Sequence, residues 1–259
     1  AALPPELSEA VRGGLLPAPA PPADHILKVE DHAAEIEDPL VDVQYGPYGL
    51  EWCSAPLLRL VAERSALTGR RVHMHLLESP IQRAYLDAAF PDGPVRFLDS
   101  IGLLSPRLSI AHGVHLRAEE IALLAERGVA VSIDTSSNLH LRNGIAPAAA
   151  MHRAGLRLVT GLDGFSGDDD DDALRELRLY HMLHRGTGLA EGWPLPALVE
   201  ASTVAGRAVL GGGRDAQPLA PGAAADLLVL ARDAADVVIP AEEPALLAHR
   251  ATRAHVRRL

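Results

Sequence analysis

Short apolar runs alternate with helical patterns of about 10 to 15 residues through the middle of the chain, as βα units on a parallel sheet do. The predicted strands cover residues 40–45, 71–77, 108–114, 129–134 and 156–163. The predicted helices that follow them cover residues 55–68, 80–89, 118–127, 146–154 and 173–184. The pattern therefore predicts an α/β fold with successive βα units.

The two ends of the chain depart from this pattern. Residues 1–38 are rich in proline and alanine and predict a loop segment with one short strand at His25–Val29. Beyond Gly188 the pattern predicts one more helix at Pro196–Leu210 and then a turn and strand at 219–233. We therefore expect a loop segment at 1–38, the βα part at 39–210 and a small β-sandwich appendage at 211–259.

Composition and charge exclude several classes of function. The 259 residues are 48% hydrophobic, and no apolar run approaches the roughly 18 residues that a bilayer-spanning helix needs, so we expect no membrane partner. The net charge of −10, without clustered basic residues, disfavours nucleic acid as a partner. The single cysteine, Cys53, excludes an internal disulfide and cysteine-based zinc modules, and the simplest location is a reducing cytoplasm.

Titratable side chains follow the predicted strands. His73 and His75 alternate on one strand and share a face, so they either chelate a metal or leave one buried, hydrogen-bonded histidine beside a partly exposed one. Glu78, His112 and Asp163 come at the carboxyl ends of their own strands. Because these ends meet at one edge of a parallel sheet, the sequence predicts that His75, Glu78, His112 and Asp163 converge there.

Several strings then resemble a known family from about Val41 to Leu230. They are VHMHLLES, SIAHGVHLRAEEIALLAERGVAV, SSNLHLRNGIAPAAAMHRAGLRLVTGLDG, ALRELRLYHMLHRG, ASTVAGRAVLG and LAPGAAADLLVL. Together they resemble the amidohydrolase superfamily, in the branch of the cytosine deaminases, S-adenosylhomocysteine deaminases and chlorohydrolases. The resemblance implies a (β/α)8 barrel of the metal-dependent hydrolase type, with a remnant of a small β-sandwich.

The resemblance also implies a site. His75, His112 and Asp163 resemble the family's ligands for one divalent metal ion, with zinc expected and iron as the alternative. Glu78 resembles the acid that moves a proton to a ring nitrogen, and His112 and Asp163 also resemble catalytic residues. The implied reaction is attack of metal-activated water on a C–N bond of a heterocyclic small molecule.

One departure from the family pattern affects the fold prediction. Members carry a further HxH on the first barrel strand, and no such strand is found here. His73 and His75 cannot be that pair, since residues 75 and 163 are 88 apart and seven βα units need about 200 residues. The resemblance therefore implies about strands 4 to 8 of the barrel, without the N-terminal part. We expect a homo-oligomer, or a need for the missing N-terminal segment.

Three residues are candidates for binding the substrate. Trp52, near Tyr48 in the loop after 40–45, either stacks on a planar substrate or packs against the protein. Asp134 either contacts a substrate amine or caps the loop that ends with Asn138, the third candidate. No lysine lies at 40–45, which favours a mononuclear metal site over one bridged by a modified lysine.

Three functions stay open at this point. The first is an aminohydrolase, or deaminase, acting on a small heterocycle. The second uses the same site as a chlorohydrolase or cyclic-amide hydrolase. The third, of another class, is a non-catalytic or partner-dependent half barrel.

Overall fold

The computed structural model describes residues 20–164, 171–187, 190–211, 221–222, 226–231 and 250–258. Its helices are α1 Pro22–Ile36, α2 Ala55–Thr68, α3 Pro80–Ala89, α4 Pro94–Ser100, α5 Ala118–Glu126, α6 Thr135–His140, α7 Ala148–Arg153, α8 Ala173–His184, α9 Leu195–Ala201 and α10 Val204–Leu210. Its strands are β1 Val72–Leu76, β2 Leu108–His112, β3 Ala130–Ile133, β4 Arg157–Thr160, β5 Gly186–Thr187, β6 Ala190–Glu191, β7 Val229–Leu230 and β8 Val256–Arg258. Every helix in these ranges is too short or too polar to cross a lipid bilayer.

The main sheet is parallel and carries its strands in the order β1-β2-β3-β4, with helices between them as the sequence predicts. In the register, Leu76 pairs with His112 and Ile133 pairs with Thr160, so the carboxyl ends of the strands share one edge. The core lies against this sheet, because most residues of its strands are buried, including all five of β2. This near-continuous burial is typical of parallel strands covered on both faces.

The segment before β1 is less regular than predicted. Instead of a strand at 40–45, the chain makes isolated parallel bridges from Tyr45 to Val72 and from Gly49 to His75. The backbone N–H of Tyr45 donates to the carbonyl of Arg71. The segment therefore continues the sheet beside β1 without forming a regular ladder, and its second bridge brings the chain alongside His75.

The prediction of a loop and a short strand was wrong for residues 22–36, which form helix α1. Pro22 suits the first turn, where the missing N–H costs nothing, and Ile26 and Ala33 are buried on one face. Glu30 fixes the helix to its neighbours, since it pairs with Arg64 at 2.8 Å and accepts a hydrogen bond from the Tyr45 hydroxyl at 2.6 Å. Residues 1–19 of the predicted loop lie outside the described residues.

Three further elements differ from the prediction. Helices α4 and α6 were not predicted, and the predicted helix 196–210 is divided into α9 and α10. The division follows from Ser202 and Thr203, whose hydroxyls donate to the carbonyls of Leu198 and Val199 and compete with the helical pattern. In the predicted appendage, β7 and β8 form an antiparallel pair. Most of residues 211–259 lie outside the described residues, so the β-sandwich stays a prediction.

A buried aromatic cluster lies at the C-terminal end of α8. His184 is buried beside the rings of Tyr180 and Trp193, and the Trp193 backbone N–H donates to the carbonyl of His184. The hydroxyl of Thr135 lies 3.2 Å from His184 Nε2. Because burial penalises the charged ring, it lowers the pKa of His184 to about 4.

The free energy of unfolding should therefore fall at low pH, where His184 is forced to take up a proton. The unfolded chain takes up this proton near pH 6.5 and the folded chain only near pH 4, so the contribution is complete above about 6.5 and is lost as pH falls toward 4. Between about pH 7 and pH 5 the expected loss is about 2 kcal/mol. In urea unfolding, the free energy of unfolding of His184→Gln should therefore change with pH by about 2 kcal/mol less than that of the parent protein over this range. The exposed His140→Gln is the control, and equal pH dependence in all three proteins would contradict the account.

Candidate active site

Three predicted residues meet at the carboxyl edge of the sheet. His75 lies in β1, His112 ends β2 and Asp163 follows β4. One potential ligand atom from each lies within 4.8 Å of the other two. His112 is 1% exposed, His75 is half-buried and Asp163 is exposed, so the cluster is open on the side of the carboxylate.

The backbone at this edge is strained. Leu77, His112 and Asp163 have φ values of 55°, 73° and 69°. Non-glycine residues seldom adopt this left-handed region, and each such residue costs about 1–3 kcal/mol. Strain of this kind collects at functional sites, and here it lies at the ends of β1 and β2 and just beyond β4, where the cluster forms.

Tyr48 fixes the ring of His75 in two ways. The backbone carbonyl of Tyr48 lies 2.7 Å from His75 Nδ1, and because a carbonyl can only accept, Nδ1 carries the proton. The centre of the Tyr48 ring lies 4.8 Å from that of the His75 ring, and the centre of the His112 ring lies 5.4 Å from it. His75 Nε2 is therefore left with a lone pair that can bind a ligand.

His112 is fixed in the same sense by buried polar groups. Its Nδ1 donates a hydrogen bond to Asn138 Oδ1 at 3.0 Å and lies 3.5 Å from a carboxylate oxygen of Asp134. His112 Nε2 is buried without a hydrogen-bond partner among the described residues. Burial lowers the pKa of His112, and the nearby carboxylates of Glu78 and Asp163 oppose that shift. An unpartnered buried nitrogen is costly, so its lone pair suits a cation.

Asp134 and Asn138 lie beneath the cluster, and neither is exposed. Asp134 accepts a hydrogen bond from the Ser132 hydroxyl at 2.9 Å, and burial raises the pKa of Asp134 to about 7. Both residues were predicted to contact substrate. Their observed contacts are with His112, which they orient, and direct contact with substrate stays a prediction.

The two acidic residues of the site are each held by one hydrogen bond. The Ser137 hydroxyl donates to Asp163 Oδ2 at 2.6 Å, and Asn143 Nδ2 donates to Glu78 Oε1 at 2.8 Å. Glu78 Oε2 lies 3.8 Å from His112 Nε2, so the carboxylate borders the cluster. Sequence reasoning missed Ser137 and Asn143, although both follow β3 at the edge where the other site residues lie.

His73 does not join the cluster. Its Nδ1 lies 2.8 Å from the Ser109 hydroxyl, and burial lowers the pKa of His73. Within the described part of the chain, the group that could hold a metal contains His75 and omits His73. Both histidines are half-buried, and of the two His75 alone belongs to this group, so chelation by the pair is not what the geometry supports.

Trp52 lies at the surface beside Tyr48. It is 70% exposed and meets the Tyr48 ring edge-on, with ring centres 6.2 Å apart. Its indole is available to a planar partner, and its role in binding substrate stays a prediction.

Comparison with curated proteins finds deaminases. The chain is 33% identical over 235 residues to a 5-methylthioadenosine/S-adenosylhomocysteine deaminase of Halobacterium salinarum, covering 90% of this chain and 54% of the relative. It is 32% identical over 195 residues to a 5'-deoxyadenosine deaminase of Methanothermobacter thermautotrophicus, covering 74% of this chain and 45% of the relative. The chain thus spans about half the length of the curated relatives it matches.

Solved structures agree on the fold. An adenosine deaminase from Xanthomonas campestris with bound zinc superposes with a TM-score of 0.78 at 26% identity, covering 89% of this chain and 53% of that one. A mutant of the atrazine chlorohydrolase from Arthrobacter aurescens, complexed with zinc and atraton, gives 0.77 at 27% identity, covering 88% and 51%. These neighbours bear out the prediction of the barrel-type α/β fold.

The family assignment rests on the length of the match as well as on the site. Residues 18–252 match the amidohydrolase family, a span that includes every residue of the cluster. The resemblance inferred from the sequence motifs is thereby confirmed. This chain, with its histidines and aspartate at the carboxyl edge of a parallel sheet, belongs to the amidohydrolase family.

Proposed function

We propose that this chain carries the catalytic site of a metal-dependent aminohydrolase that releases ammonia from a small heterocycle. The observation that carries the proposal is the meeting of His75, His112 and Asp163, whose ligand atoms lie within 4.8 Å of one another. The overall reaction adds water at a ring carbon that bears an amine, forms a C–O bond, breaks the C–N bond and releases ammonia. The deaminase names of the curated relatives support this choice.

The donor set suits one divalent ion, with zinc proposed and iron as the alternative. Two imidazole nitrogens and a carboxylate oxygen are ligands that zinc accepts. The unpartnered Nε2 of His112 supports this fit, because a cation would satisfy it. A bound divalent ion would supply the Lewis acidity that lowers the pKa of water toward neutrality.

In this proposal, Glu78 moves a proton to the ring nitrogen beside the reacting carbon. Its Oε1 is held by Asn143, which leaves Oε2 on the side of His112. A carboxyl group with one oxygen fixed and the other directed into the site is suited to proton transfer. Asp163 takes up the proton that the attacking water loses, while Ser137 holds Oδ2. His112, with its proton fixed on Nδ1, would present Nε2 to the ion that supplies the activated water.

A chlorohydrolase is the second candidate for this site. The likeness to an atrazine chlorohydrolase in complex with zinc and atraton favours it, because the same residues could serve when chloride leaves in place of ammonia. A cyclic-amide hydrolase would open a ring and release neither product. Assays for ammonia, chloride and ring-opened product therefore separate the three chemistries.

A non-catalytic half barrel is the alternative of another class. Less than about 0.2 equivalent of bound metal in the protein as isolated would favour it, since a structural or catalytic site binds close to one ion. We also propose that the chain assembles into a homo-oligomer or with a further segment, which sedimentation measures. We propose a cytoplasmic location, which cell fractionation measures.

Replacing Asp163 by alanine should abolish ammonia release from an aminated heterocycle. The change removes both a proposed ligand and the proposed proton acceptor, so we expect a loss of at least about 10³-fold in turnover. The exposed Asp92→Ala serves as the matched control and should retain activity. Turnover by Asp163→Ala near the parent rate would contradict the proposed role.

Glu78→Gln should keep the metal and lose rate. The amide preserves the shape of the side chain but cannot exchange a proton, so we expect kcat to fall by about 10²–10⁴-fold. Zinc content by elemental analysis should stay near that of the parent protein. The exposed Glu119→Gln is the control. Loss of zinc from Glu78→Gln would instead make Glu78 a ligand.

Asn138→Ala should weaken zinc binding through His112. Removing the acceptor that fixes Nδ1 frees the ring and its tautomer, and such changes typically cost 10–100-fold in metal affinity. The matched control is Asn143→Ala, another buried asparagine, which contacts Glu78 and should leave zinc affinity unchanged. Competition with a chelating dye measures both variants. Equal zinc affinity in the two would rule out the role assigned to Asn138.

A further inference from the structure

A pocket of about 650 Å³ lies beside the metal-ligand cluster. His75 and Glu78 form one wall, and the rest comes from the loop before α2 and the first turns of α3. Its volume falls in the range of pockets that hold small molecules. We call it the side pocket and define it by Tyr48, Glu51, Trp52, Ile81 and Tyr85 in addition to that wall.

The side pocket gathers large apolar side chains that are not covered by protein. Tyr48, Trp52, Ile81 and Tyr85 are 64%, 70%, 75% and 55% exposed, and all of them line this pocket. Single exposed apolar residues are ordinary, but a contiguous group beside a polar site marks a binding surface. Three of the four are aromatic, so the surface suits a flat or apolar group.

The charged side chains that line the side pocket are acidic. Among the described residues, its lining contains the carboxyl groups of Glu51 and Glu78 and neither lysine nor arginine. Gln82 fixes Glu51 by donating to its Oε1, and it also accepts a hydrogen bond from the Glu78 backbone N–H at 2.5 Å. Glu51 Oε2 is buried without a hydrogen-bond partner in the described ranges. A ligand that ends in an anion would meet repulsion here, whereas a neutral group would not.

The side pocket is continuous with the cluster. The Tyr48 ring lines the pocket and lies 4.8 Å from the ring of His75, which itself lies 5.4 Å from His112. A heterocycle whose ring nitrogen lies at Glu78 and whose reacting carbon lies at the cluster would therefore have room for one substituent along Tyr48. The pocket is the space available to that substituent.

We propose that the side pocket binds an uncharged, largely apolar substituent of the heterocyclic substrate, packed against Trp52, Ile81 and Tyr85. Glu51 makes the pocket selective, because it disfavours substituents that end in a carboxylate or phosphate. The proposal rests on the proposed function for the location of the reacting amine. It adds a substrate class: aminated heterocycles that carry a neutral apolar arm.

Two probes that differ only at the end of the arm test the pocket. Titration calorimetry of the metal-free protein, in which the proposed mechanism releases no ammonia, compares 9-butyladenine with 9-(3-carboxypropyl)adenine. We expect the neutral probe to bind at least about tenfold more tightly, because the carboxylate would lie near two fixed carboxyl groups. Glu51→Gln should narrow this ratio to about threefold or less by strengthening binding of the charged probe.

Variants of the apolar wall complete the test. Trp52→Ala should weaken binding of 9-butyladenine by about fivefold or more, and Trp52→Phe should restore most of it, since a ring remains. Leu67→Ala, at an exposed residue of α2 away from the pocket, should change nothing. Emission of the buried Trp193 reports whether each variant is folded.

Any one of four results would contradict the side-pocket proposal. They are equal affinities for the two probes, an affinity ratio that is unchanged in Glu51→Gln, unchanged binding of 9-butyladenine by Trp52→Ala, and no binding of either probe. Calorimetry needs no turnover, so this failure is separate from failure of the proposed function. Binding that depends on the arm, without ammonia release, would support the side-pocket proposal and contradict the proposed aminohydrolase function. Ammonia release without any dependence of binding on the arm would support the function and contradict the side-pocket proposal.

Discussion

The geometry of the site depends on the in-register pairing of four parallel strands. Pairing of Leu76 with His112 and of Ile133 with Thr160 brings the strand ends to one edge, and only then can His75 and Asp163, distant in sequence, reach the same point. The left-handed backbone at His112 costs free energy that the buried strands below must offset. The core of this protein is therefore also the support of its chemistry.

Hydrogen bonds beneath the strand ends complete what the register begins. Tyr48 and Asn138 each occupy the Nδ1 of one histidine, so both rings offer Nε2 to the same space. Fixing the opposite nitrogen sets the tautomer and orientation of an imidazole ligand, and it is as much part of a metal site as the ligand itself. The exposed aromatic side chains of the side pocket extend this arrangement outward, from the cluster toward the surface.

The sequence predicted what repeats locally and missed what depends on contact between distant residues. The alternation of strands and helices located β1 to β4, and the strand-end rule together with the family resemblance gave His75, His112 and Asp163. Helix α1 was missed because the proline and alanine content was given more weight than the helical spacing of apolar residues that the segment also carries. The hydrogen bond from Asn143 to Glu78 joins residues 65 positions apart, and no local pattern indicates such a contact.

Anomalous diffraction at the zinc absorption edge, from crystals grown with zinc, shows whether the three side chains share one ion. We expect one peak about 2.0–2.2 Å from Nε2 of His75, Nε2 of His112 and a carboxylate oxygen of Asp163 together. The absence of a peak at these residues, or a peak bound to the histidines with Asp163 turned away, would contradict this expectation.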